Sequence, residues 1–598
     1  MTGRLEWCIS IGLATCSAFA VACAPAELAC SETATCAPSG RKDAGIDASS
    51  DTVRGEDAEA GTDVGTDPAE PPVESGADAV IDAPKSEDSE AGSIEDARGD
   101  TVVPDAPPVI DAASEPDACD PGTSKSPAES ACLISEKYGI FVSPQGSDTT
   151  GVGTRAAPYK TLTKALQGAK GNVMRVYACD EGSGYTDALT VDATLDGMSL
   201  YGGFECTTWG YANTRRARVH PASGVPLTVK GLTAGLTVED FEFDAADAPA
   251  GESSIGGIVD SAANVVLRDV KILAGKGGAG VDGGDGAKGK DGDMPASLQQ
   301  GFDARCPYGA GTQNGGSWMN ATVCNAIGGS LGGAGGTATK NNSGTRGVPG
   351  APTIDVTPDG VDNGGANGST GQDGAAGSKG NPGANGMPGG ATASFSAVGY
   401  NAAAAGGNGT VGYVGQGGGG GGASNALIGS ECVGASGGAG GMGGCGGAPG
   451  TGGASAGASV ALLSWMSPIT LDHCELTSAT GGSGGKGGNG GKGGTGSLGA
   501  SGGAAYTGDA GPPGDAGTSL GPGGNGGPGG NGGNGGSGAG GNGGPSYTIV
   551  YKGTAPTQLN GTNLVHGAGG TKGIGGSIEN MKASDGVIGD ASEEFAIN

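Results

Sequence analysis

Residues of the types that do chemistry are few and scattered in this chain. Segments with the Gly-x-Ser-x-Gly spacing of a nucleophile elbow include Gly434-Ala-Ser436-Gly-Gly438, Gly453-Ala-Ser455-Ala-Gly457 and Gly481-Gly-Ser483-Gly-Gly485. Such a serine needs a strand before it and a helix after it, so that the turn exposes its hydroxyl. Here each lies inside a tract of Gly and Ser, where the match is expected by chance. Gly277-Gly-Ala-Gly-Val-Asp282 begins like a calcium-binding β-roll repeat but lacks the next hydrophobic residue and tandem copies. His220, His473 and His566 share no ligand spacing, and no CxxC or Cys/His cluster occurs, so neither a metal nor a cofactor is expected. One set offers acid and base chemistry: Asp240, Asp244 and Asp247 near one bend, with Arg268 and Lys271 further on. Clustered carboxylates plus a base would suit calcium-assisted proton abstraction from an acidic polysaccharide. Solvent-facing bends are usually polar in any case, so no catalytic residue is assigned.

The cysteines carry more information. Cys30, Cys36, Cys119, Cys132, Cys179, Cys206, Cys306, Cys324, Cys432 and Cys445 fall into neighbouring couples in loop-like sequence. The expected bridges are 30–36, 119–132, 179–206, 306–324 and 432–445, in an oxidising compartment. Cys474 is left single. It sits at an inward position of a strand pattern and is expected to be a buried free thiol.

Export is expected as well. An apolar stretch from Trp7 to Ala22 follows Arg4 and is too short to span a bilayer comfortably. It ends in Ala20-Val21-Ala22-Cys23, which places signal cleavage after Ala22. The same residues resemble the lipobox of bacterial lipoproteins, which implies that Cys23 is lipidated; Ala20 stands where that motif usually has Leu. From residue 37 to 131 the chain holds 24 acidic and 6 basic residues and no aromatic one. Such a segment cannot bury enough apolar surface to offset its ordering entropy and is expected to be an extended, disordered linker. The formal net charge of −31 argues against nucleic acid as a partner.

Order is expected to begin near Lys137. Ile140 to Ser143 reads as a strand followed by a Pro/Gly turn, and Leu162, Ala165 and Leu166 have helical spacing behind Pro158. The segments Val142-Ser-Pro-Gln-Gly-Ser-Asp148, Gly153-Thr154 and Pro158-Tyr-Lys-Thr-Leu-Thr-Lys-Ala-Leu166 resemble the N-terminal cap of right-handed parallel β-helices of the pectate-lyase-like superfamily, in the group with an uncharacterised cap domain. Val173-Met-Arg-Val-Tyr-Ala-Cys179, Leu200-Tyr-Gly-Gly-Phe-Glu-Cys206 and Trp209 resemble glycine-rich myxobacterial cell-surface lipoproteins. The resemblance is good over roughly residues 137–275 and compositional beyond.

A repeat independent of that resemblance points the same way. Val238-Glu-Asp-Phe241-Glu-Phe243, Leu267-Arg-Asp-Val270-Lys-Ile272, Leu471-Asp-His-Cys474-Glu-Leu476 and Leu559-Asn-Gly-Thr562-Asn-Leu564 share one spacing of inward-type residues. Each reads as a strand, a tight bend and a second strand, and stacking of equivalent positions predicts a solenoid core with Val238, Leu267, Leu471 and Leu559 in register. Four unrelated strands of a sandwich are the alternative.

The chain contains 134 Gly. Gly recurs every third residue from Gly365 to Gly389, from Gly280 to Gly292 and from Gly523 to Gly544. A period of three bares one edge of an extended three-residue helix. A packed intrachain bundle of polyglycine-II-like helices is the favoured reading; disordered loops and a collagen-like trimer are the others, the last disfavoured by sparse Pro and broken phase. The glycine tracts follow Leu273, Thr477 and Val565, equivalent points of the repeat.

The resulting expectation is an all-β chain: a right-handed parallel β-helix with inserted glycine-rich arrays behind a disordered acidic stalk. Its segments are a signal peptide (1–22), a lipid-anchored N-terminus (23–36), the linker (37–131), cap and first coils (132–275), glycine-rich arrays (276–458), a coil (459–480), an array (481–545), a coil (546–566) and a glycine-rich tail (567–598). The expected function is that of a non-enzymatic outer-membrane or cell-surface lipoprotein, structural or adhesive. Membrane contact is through the lipid alone, and surface glycans or other cells are the partners. A secreted form lacking the lipid is the alternative location. A carbohydrate-active β-helix that binds or cleaves an acidic polysaccharide is the rival function.

Overall fold

The computed structural model describes residues 119, 125–169, 174–293, 299–306, 311–318, 322–324, 328–340, 344–352, 369–390, 392–426, 431–508 and 519–598. The expected signal segment, Cys23, the Cys30–Cys36 pair and the linker up to residue 118 lie outside the described residues.

The described chain is almost entirely β, with long parallel sheets. The first sheet orders Ile140–Val142, Arg175–Cys179, Met198–Phe204, Leu236–Glu239, Val265–Arg268, Ile469–Asp472 and Thr557–Leu559. The second orders Ala217–Val219, Phe241–Asp244, Lys271–Leu273, Glu475–Thr477 and Asn563–Val565. The third orders Leu189–Val191, Leu227–Lys230, Ser254–Asp260, Ser459–Trp465, Ser546–Lys552 and Ala591–Ile597. From Met198 onward the chain visits first, second and third sheet in rotation, and every pairing within these sheets is parallel.

Alternation of apolar and polar residues explains why these strands stack. Leu200 pairs with Val238, Val238 with Leu267 and Leu267 with Leu471, and none of the four is exposed. Phe243, Ile272, Leu476 and Leu564 form the matching column of the second sheet. Leu559 does not join its column. Gln558 stands opposite Leu471, while Leu559 pairs with Asp472 and is 43% exposed. The reason is the bend. In three coils a single left-handed residue turns the chain: Asp240 (φ 58°), Asp269 (φ 52°) and His473 (φ 52°). In the fourth, Asn560 (φ 48°) and Gly561 (φ 79°) take that role together, so the bend gains one residue and the preceding strand slips by one.

The stack is closed at one end by the helix Leu162–Ala169, which buries Leu162, Ala165, Leu166 and Ala169 on one face. Asp148 secures its start by accepting from the amides of Lys160 (2.8 Å) and Thr161 (3.0 Å). Such capping supplies partners for amides that have none within the helix. The segment read as a glycine-rich tail ends in the strand Ala591–Ile597, which pairs with Ser546–Lys552.

Bridges join Cys119 to Cys132 and Cys179 to Cys206. The neighbour bridges 306–324 and 432–445 do not form. Cys306 is joined to Cys432 and Cys324 to Cys445, across separations of 126 and 121 residues. The cause is chain reversal: the stretch 434–457 runs antiparallel to 277–293, which returns Cys432 to Cys306 and lays Cys445 beside Cys324.

Candidate functional site

The glycine tracts are the largest feature that the coils do not explain. They leave the coil after Leu273, Thr477 and Val565, at the end of a second-sheet strand, and re-enter at Ser459, Ser546 and Ala591 of the third sheet. One corner of the coil therefore emits every tract. The extended runs include 277–293, 371–389, 404–424, 434–457, 480–503, 523–544, 567–576 and 583–589.

Backbone hydrogen bonds tie the runs together at every third residue. Gly280, Gly283, Gly286, Gly289 and Gly292 donate to the carbonyls of Ser483, Lys486, Asn489, Lys492 and Thr495 at 2.7–2.8 Å. One turn of run 480–503 shows how completely the amides are used. Gly484 donates to Thr571 (2.8 Å), Gly485 to Ala454 (2.9 Å) and Lys486 to the carboxylate of Asp282 (2.7 Å), so three neighbouring runs are engaged in three directions. The next turn repeats this with Ile574, Thr451 and Asp285. Buried amides must find partners, and here other backbones and regularly spaced Asp and Asn side chains provide them. Asp291, Asp373 and Asn385 accept amides of neighbouring runs in the same manner.

This geometry dictates the composition. A Cβ placed on Gly485 would overlap the Val281 carbonyl oxygen, and one on Gly530 that of Ser378, well inside the 3.0 Å that real Cβ atoms respect. Runs at the periphery, such as 277–293, need Gly once per turn. Runs with more neighbours, such as 523–544, need it twice, because a Cβ on Gly526 or Gly529 would meet a carbonyl of 434–457 and one on Gly527 or Gly530 a carbonyl of 371–389. In run 480–503 the third residue of each turn, from Ser483 through Lys486, Asn489, Lys492, Thr495 and Leu498, points to solvent.

The acid–base set does not converge. Asp240 is fully buried beneath Tyr211, whose hydroxyl donates to it at 2.6 Å, and its second oxygen has no hydrogen-bond partner. Burial, with Glu239 and Asp269 nearby, pushes its pKa up to about 7. Asp244 pairs with Arg218. Asp247 accepts from the Lys276 amide at 2.7 Å. Arg268 bridges Glu239 (3.1 Å) and Asp472 (3.3 Å), and Lys271 reaches Glu242 at 3.7 Å. The residues are thus spread over both sides of the bend, each tied to neighbouring coils. Beside them is an open groove of ≈ 680 Å³ with Asp180, Glu205, Arg215, Arg216, Arg218 and Glu242 in its wall. The sequence reading did not single it out, because its residues come from three separate coils.

Ser436 and Ser455 are buried in the glycine runs and give hydrogen bonds to no histidine; Ser436 accepts from the Phe302 amide and Ser455 donates to the Ala404 carbonyl. Among the described residues no group of three or more His, Cys, Asp or Glu is arranged to hold a metal ion. Cys474 is unbridged and 1% exposed; burial pushes its thiol up to about 11, and its Sγ donates to the Leu267 carbonyl at 3.2 Å. Among the described residues no helix is long and apolar enough to cross a membrane. The bridged cysteines are compatible with an extracellular protein.

The chain matches no protein-family model, and no curated protein or solved structure is similar to it.

Proposed function

We propose that this chain is a non-enzymatic, lipid-anchored surface protein, in which a right-handed parallel β-helix displays a bundle of polyglycine-II-like helices as a structural or adhesive element. One observation carries this reading: every glycine tract issues from the same corner of the coil, and the tracts then hydrogen-bond to one another at each turn. Rotation of the chain through three parallel sheets supports the β-helix. The three-residue spacing of amide bonds supports the polyglycine-II geometry, which has three residues per turn. An assembly that commits its backbone donors to itself presents to solvent regular rows of side chains, polar ones such as Lys486, Asn489 and Thr495 together with apolar ones such as Val281 and Leu498. Such a surface suits extended contact better than the enclosure of one small substrate. Anchorage rests on the lipobox-like Ala20-Val21-Ala22-Cys23.

The test is a deletion strain scored for adhesion and cell–cell contact, complemented by the full chain and by a version lacking residues 481–545. Restoration by the shortened version at the full level would overturn the role given to the glycine bundle. Metabolic labelling with a fatty acid, lost in Cys23→Ser, checks the anchor. The rival reading, binding or cleavage of an acidic polysaccharide, is favoured by the arginines of the ≈ 680 Å³ groove. It would displace the first if an acidic glycan bound to the full chain and Arg215→Ala abolished that binding.

A further inference from the structure

The outer face of the third sheet carries a second apolar layer, built from Ile255, Ile258, Val460, Leu463, Tyr547 and Val550. A hairpin folds over it, pairing Ser394–Ser396 with Gly399–Asn401 in antiparallel fashion. The hairpin brings Phe395 within 5.0 Å of Tyr400 and 6.0 Å of both Tyr547 and Phe595, measured between ring centroids. Tyr547 and Phe595 stack on adjacent strands at 4.7 Å with 15° between their planes, while Phe395 is inclined to them by 55° and 46°. Rings inclined in this way form walls and not a flat platform. The cavity they help enclose measures ≈ 470 Å³. Ile588, 64% exposed, stands at its wall, and among the described residues Asp590 is the one charged side chain lining it. Tyr547 donates its hydroxyl to Asp590 at 3.0 Å, which fixes the carboxyl group against the aromatic wall. Among the described residues no Lys, Arg or His lines the space.

We propose that this cavity binds an organic ammonium group. The face of an aromatic ring is the negative part of its quadrupole and attracts a cation, most strongly where water is excluded. Phe395, Tyr400 and the stacked pair Tyr547 and Phe595 line the space, and Asp590 supplies the counter-charge. An anionic ligand would meet the Asp590 carboxyl in a chain of net charge −31. A hard metal ion would find one carboxyl where it needs several oxygen ligands. Burial pushes the hydroxyls of Tyr400 and Tyr547 upward, Tyr400 to about 12, so the tyrosine walls stay neutral at physiological pH. The volume lies in the range of small-molecule sites and leaves room for the group that bears the ammonium. Two sources share this chemistry: a trimethylammonium head group and the protonated amine of a deacetylated amino sugar.

Isothermal titration of the full chain with choline, with glucosamine and with 3,3-dimethylbutanol, the neutral carbon isostere of choline, tests the proposal. At least one cation is expected to bind in the micromolar to millimolar range, with the neutral isostere at least tenfold weaker. Which cation binds identifies the source. Asp590→Asn and Phe595→Ala should each weaken binding about tenfold or more. Binding of neither cation, equal binding of the isostere, or unchanged affinity in Asp590→Asn would overturn it. The isostere comparison needs no variant, so it decides the matter even if Phe595→Ala misfolds.

Discussion

The coils and the glycine bundle solve the same problem with opposite materials. In the coils, side chains do the work: Leu200, Val238, Leu267 and Leu471 form one buried column, and each coil adds apolar area to the last. In the bundle there is almost no side chain to bury. Stability there has to come from backbone hydrogen bonds at each turn, such as Gly529 to Ser497 and Gly530 to Gln416, both 2.8 Å, and from close packing of bare chain. A hydrogen bond adds only about 0.5–1.5 kcal/mol net, whereas a buried leucine side chain contributes about 1.5–3. Glycine also loses more conformational freedom on folding than any other residue. The bundle therefore depends on the coils to hold its runs together at their roots, while the coils do not depend on the bundle for their core.

Four substitutions test that contrast. The largest effect is expected for Leu267→Ala, which opens a cavity between Val238 and Leu471 and should cost about 2–5 kcal/mol of global stability in a denaturant titration. Loss of coil protection with the bundle still protected in that variant would overturn the proposed dependence. Next comes the buried Asp240. Its folded pKa, about 7, lies above the ordinary aspartate value of 3.8, so the native state holds the proton more tightly than the unfolded one. Stability should therefore fall as pH rises from about 4 to about 7, by at most about 1.4 kcal/mol per pH unit, and level off above. Thermal scans across that range should show this slope in the native chain, and Asp240→Asn should flatten it. Third, Gly530→Ala forces a Cβ against the Ser378 carbonyl. It should cost about 1–3 kcal/mol, felt as faster amide exchange at Gly377, Gly380 and Gln416 with the coils untouched. The smallest effect is expected one residue on. Asn531 is exposed and accepts from the Gly496 amide at 3.0 Å, so Asn531→Ala should cost about 1 kcal/mol or less. Equal effects at 530 and 531 would mean that close backbone approach does not hold the runs together.

The parts of this architecture that were legible in the sequence are those where one residue type has one use. Val238, Leu267 and Leu471 stood out because an inward position in a stacked strand tolerates little but apolar residues. The period of three was legible because only Gly fits where a neighbouring carbonyl leaves no room. Direction was not legible: nothing in a glycine triplet says whether the adjacent run is parallel, as 277–293 and 480–503 are, or antiparallel, as 434–457 and 480–503 are. That ambiguity is why Cys306 and Cys432 were assigned to their neighbours in sequence. Leu559 was misplaced because a bend of one residue and a bend of two look alike when only the apolar positions are counted. The strand Ala591–Ile597 escaped notice because Glu593 and Glu594 give it the look of solvated tail. Phe395, Tyr400, Tyr547 and Phe595 were missed for another reason, since more than 140 positions separate the hairpin from Tyr547 and Phe595.

The single corner through which every tract passes has a consequence for how such a chain can change length. A segment added there does not alter the rise from one coil to the next, because the strands on either side, Lys271–Leu273 and Ser459–Trp465 for example, keep their partners. Within a tract, however, one or two extra residues would rotate every later glycine away from the carbonyl it must meet. Growth or trimming is thus quantised: it proceeds by whole triplets, and an outgoing limb can lengthen only where a facing limb keeps step.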